Sequence, residues 1–211
     1  DDWRGEILKK ELVERGINAD YSEIIKEWVT PAYIKPILHN AESKQEDSRL
    51  DFENYVSPSE ELIKSQMTTL HNLIEDVDAV LVHDQFEYGI LSVQYLREQL
   101  SILAGNTDKP FMVDSRHRIS DFKNMILKPN RFEAIKAAGL DTKAGKGETD
   151  QTLIREAASE LYAQAGNTVY ITAAEKGIYL FNPYVDENMI HLPTTEPSGT
   201  IDVTGAGDTV M

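Results

Sequence analysis

The chain has 211 residues, 41% of them hydrophobic and 27% charged, enough to bury the core of one domain and at most two. Its formal net charge of −15 would repel a nucleic-acid backbone or an anionic membrane surface, so an anionic ligand must be held locally by Lys, Arg, backbone N–H groups or a metal. The absence of cysteine excludes a disulfide framework, thiol chemistry and Cys-based zinc sites, and no apolar run is long enough to span a membrane.

Trp3, Ile7, Leu8 and Leu12 share a helical stripe that stops at Gly16, so a core-packing helix is expected over about 3–15. Residues 18–29 read as a second short helix or a loop, with Ile24 and Ile25 turned inward. The period then changes. Residues 33–38 and 49–53 read as two strands joined by a polar, hairpin-like loop, with Pro36 favouring an edge position. Such a protruding pair, within about 30–56, is expected to form a lid or a dimer surface.

Ser57-Pro58-Ser59-Glu60 reads as a helix start, with Ser57 as N-cap, proline first and glutamate third. That helix is expected to run to about Leu73. The short apolar runs 79–83, 111–113 and 125–127 read as buried parallel strands, the first two ending in Asp84 and Asp114. Helices are expected over 90–103, 130–138 and about 150–165, and strands over 169–172, 178–181 and 189–192. Alternating strand and helix implies an α/β fold, a mostly parallel central sheet flanked by helices. Ligands in such sheets sit at the carboxyl ends of strands, where Asp84, Asp114, Lys128, Asn130 and Thr172 would line one rim.

The last stretch carries the chemistry. In 201–209, two glycines stand where a turn opens into a helix, so successive N–H groups of Gly205, Ala206 and Gly207 would face an anion at the positive end of the helix dipole. Asp208 follows directly, a carboxylate where phosphate repulsion would otherwise exclude an acid. A base beside a phosphate cradle points to phosphoryl transfer to a hydroxyl. Lys128 and Arg116 are further candidates to hold an anion. Asn130 and Glu133 have the spacing of a helix N-cap and its third residue, a pair that needs no ligand to explain it. Gly145-Lys146-Gly147 is a false P-loop, because Leu140 stands where its first glycine is required. The five histidines show no paired metal-ligand spacing.

Asp202-Val203-Thr204-Gly205-Ala206-Gly207-Asp208 resembles the Asp-x-Thr-Gly-x-Gly-Asp signature of the ribokinase-like (PfkB) carbohydrate kinases. The resemblance implies a single ribokinase-like domain over 1–211, incomplete at both ends, using ATP and Mg2+ on a small-molecule sugar or sugar phosphate. It implies Asp208 as catalytic base, Gly205, Ala206 and Gly207 as the anion hole, and Thr204 at the nucleotide. Asn130 and Glu133 match the family's Asn-x-x-Glu, which implies that they help hold magnesium and phosphate through water. Thr172 to Gly177 is similar to the family's Thr-x-Gly-x-x-Gly turn, implying nucleotide contacts at Thr172, Glu175 and Gly177. Ala174 stands where that turn has glycine, and a plain turn closed by Gly177 is the other reading.

The opening residues 1–5, the segment Arg49-Leu50-Asp51-Phe52-Glu53, and the strand ends at Asp84 and Asp114 resemble the heptose 7-phosphate kinase (ADP-heptose synthase) branch. Asp51, Asp84, Arg116 and Lys128 are then the expected substrate-binding residues. The runner-up readings are a ribokinase- or fructokinase-type kinase and a non-catalytic nucleotide- or sugar-binding regulator. A cytoplasmic protein is expected, with a homodimer possible through the lid strands.

Overall fold

A computed structural model of the chain describes residues 2–26, 28–39, 44–140, 151–184, 188–195 and 206–211. Its centre is a six-stranded sheet in the order β10-β9-β8-β7-β6-β5, built from β5 (Val80–Asp84), β6 (Phe111–Ser115), β7 (Ile126–Leu127), β8 (Val169–Thr172), β9 (Ile178–Phe181) and β10 (Met189–Leu192). Strands β5 to β8 pair in parallel and β9 and β10 return antiparallel. Helices α2 (Glu60–Leu73), α3 (Gln94–Gly105), α4 (Arg131–Ala137) and α5 (Gln151–Ala165) flank the sheet.

The apolar strand runs form the core as their composition requires. Phe111, Val113, Leu127, Val169 and Ile171 meet Ile63 and Met67 of α2 and Leu96, Leu100 and Leu103 of α3. On α5, Ile154, Ala157, Ala158, Leu161 and Ala165 form one stripe, each at most 2% exposed. Complete burial of an Ile or Leu here contributes roughly 1.5–3 kcal/mol.

Three local expectations are corrected. Helix α2 is capped by Ser59, whose Oγ accepts from Leu62 N at 3.3 Å, while Ser57 accepts a hydrogen bond from Ser92 Oγ. The cap therefore falls two residues later than the proline pattern suggests. Helix α1 (Trp3–Glu14) forms but buries no residue, and Trp3 is 59% exposed. Its start is fixed by Asp2, whose carboxylate accepts from the N–H groups of Arg4, Gly5 and Thr30. Residues 18–26 and 28–31 take the loop alternative and contain no helix; Ile25 is partly buried, but Ile24 is 71% exposed rather than inward.

The expected strand 33–38 is broken in two. β1 (Ala32–Ile34) pairs antiparallel with β4 (Leu50–Phe52), and β2 (Ile37–His39) pairs with β3 (Lys44–Glu46). Lys35 and Pro36 separate β1 from β2. Proline cannot donate to a ladder, so the chain changes partners there.

Candidate active site

Because β5, β6, β7 and β8 run in the same direction, their carboxyl ends deliver side chains to one rim. Register places His83 beside Asp114 and Asp84 beside Ser115, and a parallel bridge joins Asn130 to Thr172 just beyond β7 and β8. The rim borders a cleft of about 220 Å3 lined by Gln85, Asp114, Arg116, Lys128, Asn130, Glu133, Thr172 and Gly207. Gly207 enters from the far end of the chain, just before the short 3-10 turn Asp208–Val210. Thr204, Gly205 and the side chain of Asp208 lie outside the described residues, and Ala206 is exposed at the edge of the segment.

Lys128 ties this segment to the sheet. It is 2% exposed, and its Nζ lies 2.6 Å from Asp114 Oδ2 while donating to the Gly207 carbonyl at 3.0 Å. A buried ammonium persists only with an opposite charge and further hydrogen bonds, and both are supplied here. Its charge is therefore largely matched by Asp114, and its geometric effect is to hold a carbonyl beside the expected anion hole. The two residues are 79 positions apart in the chain.

Asn130 caps α4. Its Oδ1 accepts from Phe132 N at 2.9 Å and Glu133 N at 3.0 Å, and Glu133 Oε2 accepts from Asn130 N at 2.8 Å. This is a complete capping box, and it uses one oxygen of each side chain. The Asn130 amide nitrogen and the second Glu133 oxygen are not part of it. Burial pushes the Glu133 carboxyl above its ordinary range; the Asn130 N–H opposes this, Asp114 adds to it, and Arg116 and Lys128 oppose it. No cluster of three or more His, Cys, Asp or Glu side chains suited to a metal occurs among the described residues. One carboxylate oxygen beside an amide fits magnesium held through its water shell, since Mg2+ gives up water reluctantly.

Arg116 is exposed and lines the cleft, while its backbone N–H donates to the Asp84 carbonyl at 3.0 Å. Among the described residues no carboxylate forms an ion pair with it, and its charge reaches both Glu133 and the Tyr33 hydroxyl. Thr172 also lines the cleft, and its N–H donates to the Pro129 carbonyl at 3.1 Å.

Four expected site residues stand elsewhere. Asp84 is 2% exposed, and its carboxylate meets Ser115 Oγ at 2.6 Å and Arg118 Nη1 at 3.1 Å rather than the cleft. Asp51 lies on β4, gripped by Arg49 at 2.6 and 2.7 Å. Glu175 is exposed, 3.6 Å from Arg131 Nη1. Gly177 is internal, at φ 86°, where an added Cβ would fall 2.0 Å from the Leu192 carbonyl. Ala174, in the same turn, has φ 49°. Position 174 thus has the left-handed backbone that explains a glycine there.

Sequence pattern does not mark Gln85, the counter-ion role of Asp114 or the clamp at Arg118. Gln85 follows the end of β5 directly, so rim position alone could have found it. Arg118 approaches Asp84 from 34 residues away, which no local pattern reports.

The profile described as pfkB family carbohydrate kinase matches residues 1–211. Bifunctional protein HldE of Aliarcobacter butzleri is 29% identical over 171 residues, covering 80% of this chain and 33% of that protein. HldE of Actinobacillus succinogenes is 27% identical over 218 residues, covering 100% of this chain and 40% of that protein. The chain thus spans well under half the length of these two curated relatives. Among solved structures, Arabidopsis thaliana ribokinase complexed with ribose and ATP superposes with a TM-score of 0.67 at 18% identity, over 99% of this chain and 63% of that one.

Proposed function

The chain belongs to the pfkB carbohydrate kinase family, and from that premise we propose that its cleft transfers the γ-phosphoryl group of ATP to a sugar or sugar-phosphate hydroxyl. The observation that carries this reading is the convergence of Gly207, next to Asp208, on Lys128, Asp114, Asn130 and Glu133 at one sheet rim.

Asp208 takes the proton of the attacking hydroxyl, an effect worth about 10²–10⁴ in rate for a well-placed base. The N–H groups of Gly205, Ala206 and Gly207 stabilise charge that grows on the transferred phosphoryl oxygens. Lys128, neutralised by Asp114, holds the Gly207 carbonyl so that these groups are fixed before the substrate arrives. Arg116, with no ion-pair partner among the described residues, would meet an anionic oxygen of substrate or nucleotide, and Thr172 borders the same cleft. Magnesium held through water at Asn130 and Glu133 would offset charge on the nucleotide. The strand pairs β1–β4 and β2–β3 act as a lid that keeps water from the phosphoryl group. The same strands expose Ile37, Leu38 and Leu50, which suits contact with a second copy of the chain.

The acceptor is a heptose 7-phosphate, D-glycero-D-manno-heptose 7-phosphate, at its anomeric hydroxyl. Support comes from the opening residues and the Arg49 to Glu53 segment, together with the sequence similarity to the two HldE proteins. A direct test incubates the full-length protein with Mg-ATP and a panel of heptose 7-phosphate, ribose, fructose and nucleosides, and follows ADP release. Heptose 7-phosphate should give the largest release, and Asp208→Asn should abolish it while ATP still binds. Near-full activity in that variant removes Asp208 as base, and preference for ribose or fructose moves the acceptor to the other sugars.

A further inference from the structure

The buried cluster behind Asp84 performs no part of the chemistry described so far. Asp84 sits at the end of β5 with its side chain 1% exposed, an arrangement that normally neutralises a carboxylate unless a charge is brought to it. Arg118 brings that charge: its Nη1 donates to both Asp84 oxygens at 3.2 and 3.1 Å. Ser115 Oγ donates to Asp84 Oδ2 at 2.6 Å and accepts from Arg118 N at 2.9 Å, so acid, hydroxyl and guanidinium fix one another.

The guanidinium does more than neutralise the acid. Its Nη1 also reaches the carbonyl of Phe86, and its Nη2 donates to the carbonyl of Glu87. One planar cation therefore ties a strand end to two successive peptide groups of the loop that leaves it, a geometry lysine cannot reproduce. That loop has two working faces. Gln85 lines the cleft, while the Phe86 ring lies 5.9 Å from the Tyr33 ring of β1 and the Tyr88 ring 6.3 Å from that of Tyr55.

We infer that Arg118 is a positioning residue for the acceptor side of the cleft, pinning the 85–88 loop so that Gln85 and the β1–β4 strands stand in fixed relation to the phosphoryl-transfer rim. The inference rests on the kinase reading for its effect on sugar, though the pin itself is a property of the fold. Arg118 lies outside the cleft lining, so its removal acts through the loop. The nucleotide side, built from Asn130, Glu133 and Thr172, keeps its own hydrogen bonds.

The test compares Arg118→Ala and Arg118→Lys with wild type in the full-length protein. In Arg118→Ala the KM for sugar should rise roughly 10- to 100-fold, as expected when a remote change shifts a positioned group by about 1 Å, with the KM for ATP little changed. Added guanidinium ion should restore part of the loss in Arg118→Ala and none in Arg118→Lys, because only the first leaves a planar vacancy. Hydrogen exchange should quicken at 85–89 and 32–34 and stay unchanged at 126–137. Sugar and ATP constants that worsen together, with exchange rising throughout, would make Arg118 merely structural and overturn the inference. Unaltered kinetics and exchange would overturn it as well. If wild type releases no ADP with any sugar, the kinase reading fails by itself. The exchange pattern and its reversal by guanidinium then decide the pin alone.

Discussion

Replacing Lys128 with Met separates two roles that the same ammonium combines. The Lys128–Asp114 contact is 2.6 Å, and the two residues are 2% and 7% exposed. After Lys128→Met the Asp114 carboxylate remains buried, without the ammonium that matched its charge. Removing one partner of a buried pair costs about 3–5 kcal/mol, more than the pair itself contributes over an apolar replacement. Urea unfolding of the single variant should show a loss in that range. Adding Asp114→Asn removes the stranded charge and should return about 2 kcal/mol or more of it. Neither variant restores the donor to the Gly207 carbonyl, so turnover at saturating ATP and sugar should stay down roughly 100-fold in both. A double variant that regains activity along with stability would refute the tether: Lys128 would then serve only to neutralise Asp114. A single variant that loses under about 1 kcal/mol would refute the buried pair itself.

Three further outcomes follow from the same geometry. Gly177→Ala should cost roughly 3 kcal/mol in thermal unfolding, since its Cβ meets the Leu192 carbonyl, whereas Ala174→Gly, at φ 49° and exposed, should be neutral or stabilising by about 0.5 kcal/mol. Glu133 titrates above its ordinary value of 4.5 because of burial, so the folded chain holds a proton that the unfolded chain has released. Stability must fall as pH rises from that ordinary value through the raised one, and Glu133→Gln should flatten this slope in unfolding measured against pH. Asn130→Ala removes the cap of α4, costing about 1 kcal/mol, and should raise the magnesium concentration needed for half-maximal turnover, a shift that a pure capping role would not produce.

The elements of the central sheet were legible because their information is local. Apolar runs such as 111–113 and the stripe on α5 announce burial wherever they pack, and the cap at Asn130 is written within four residues. The strand break at Pro36 was half legible: the proline marked an edge, but the change of partner there, β4 for β1 and β3 for β2, depends on pairing that no residue of 33–38 announces. Helix α1 departs from its expected burial for a related reason. An apolar stripe says that a face seeks burial, and only the surrounding chain decides whether anything lies against it.

The cleft divides along the same line. Strand-end residues could be assigned to one rim, because parallel strands all present their carboxyl ends together. What each side chain does there could not, because its partner arrives from elsewhere. Asp84 and Asp114 are equivalent in sequence, each an acid closing an apolar strand. In space one is claimed by Arg118 and the other by Lys128, and the two pairs support different things: a loop beside the outer strands and a carbonyl next to Asp208. A chain of net charge −15 thus keeps two of its cations at the rim as struts matched by buried acids. Arg116 is the rim cation left without an ion-pair partner among the described residues, so on the proposed reading it would meet an anionic ligand together with backbone N–H groups and magnesium held through water. On the same reading, that division would let an acidic protein hold a phosphorylated ligand without a broad basic surface. It also makes Arg116 the position where charge reversal should most directly abolish binding of an anionic sugar.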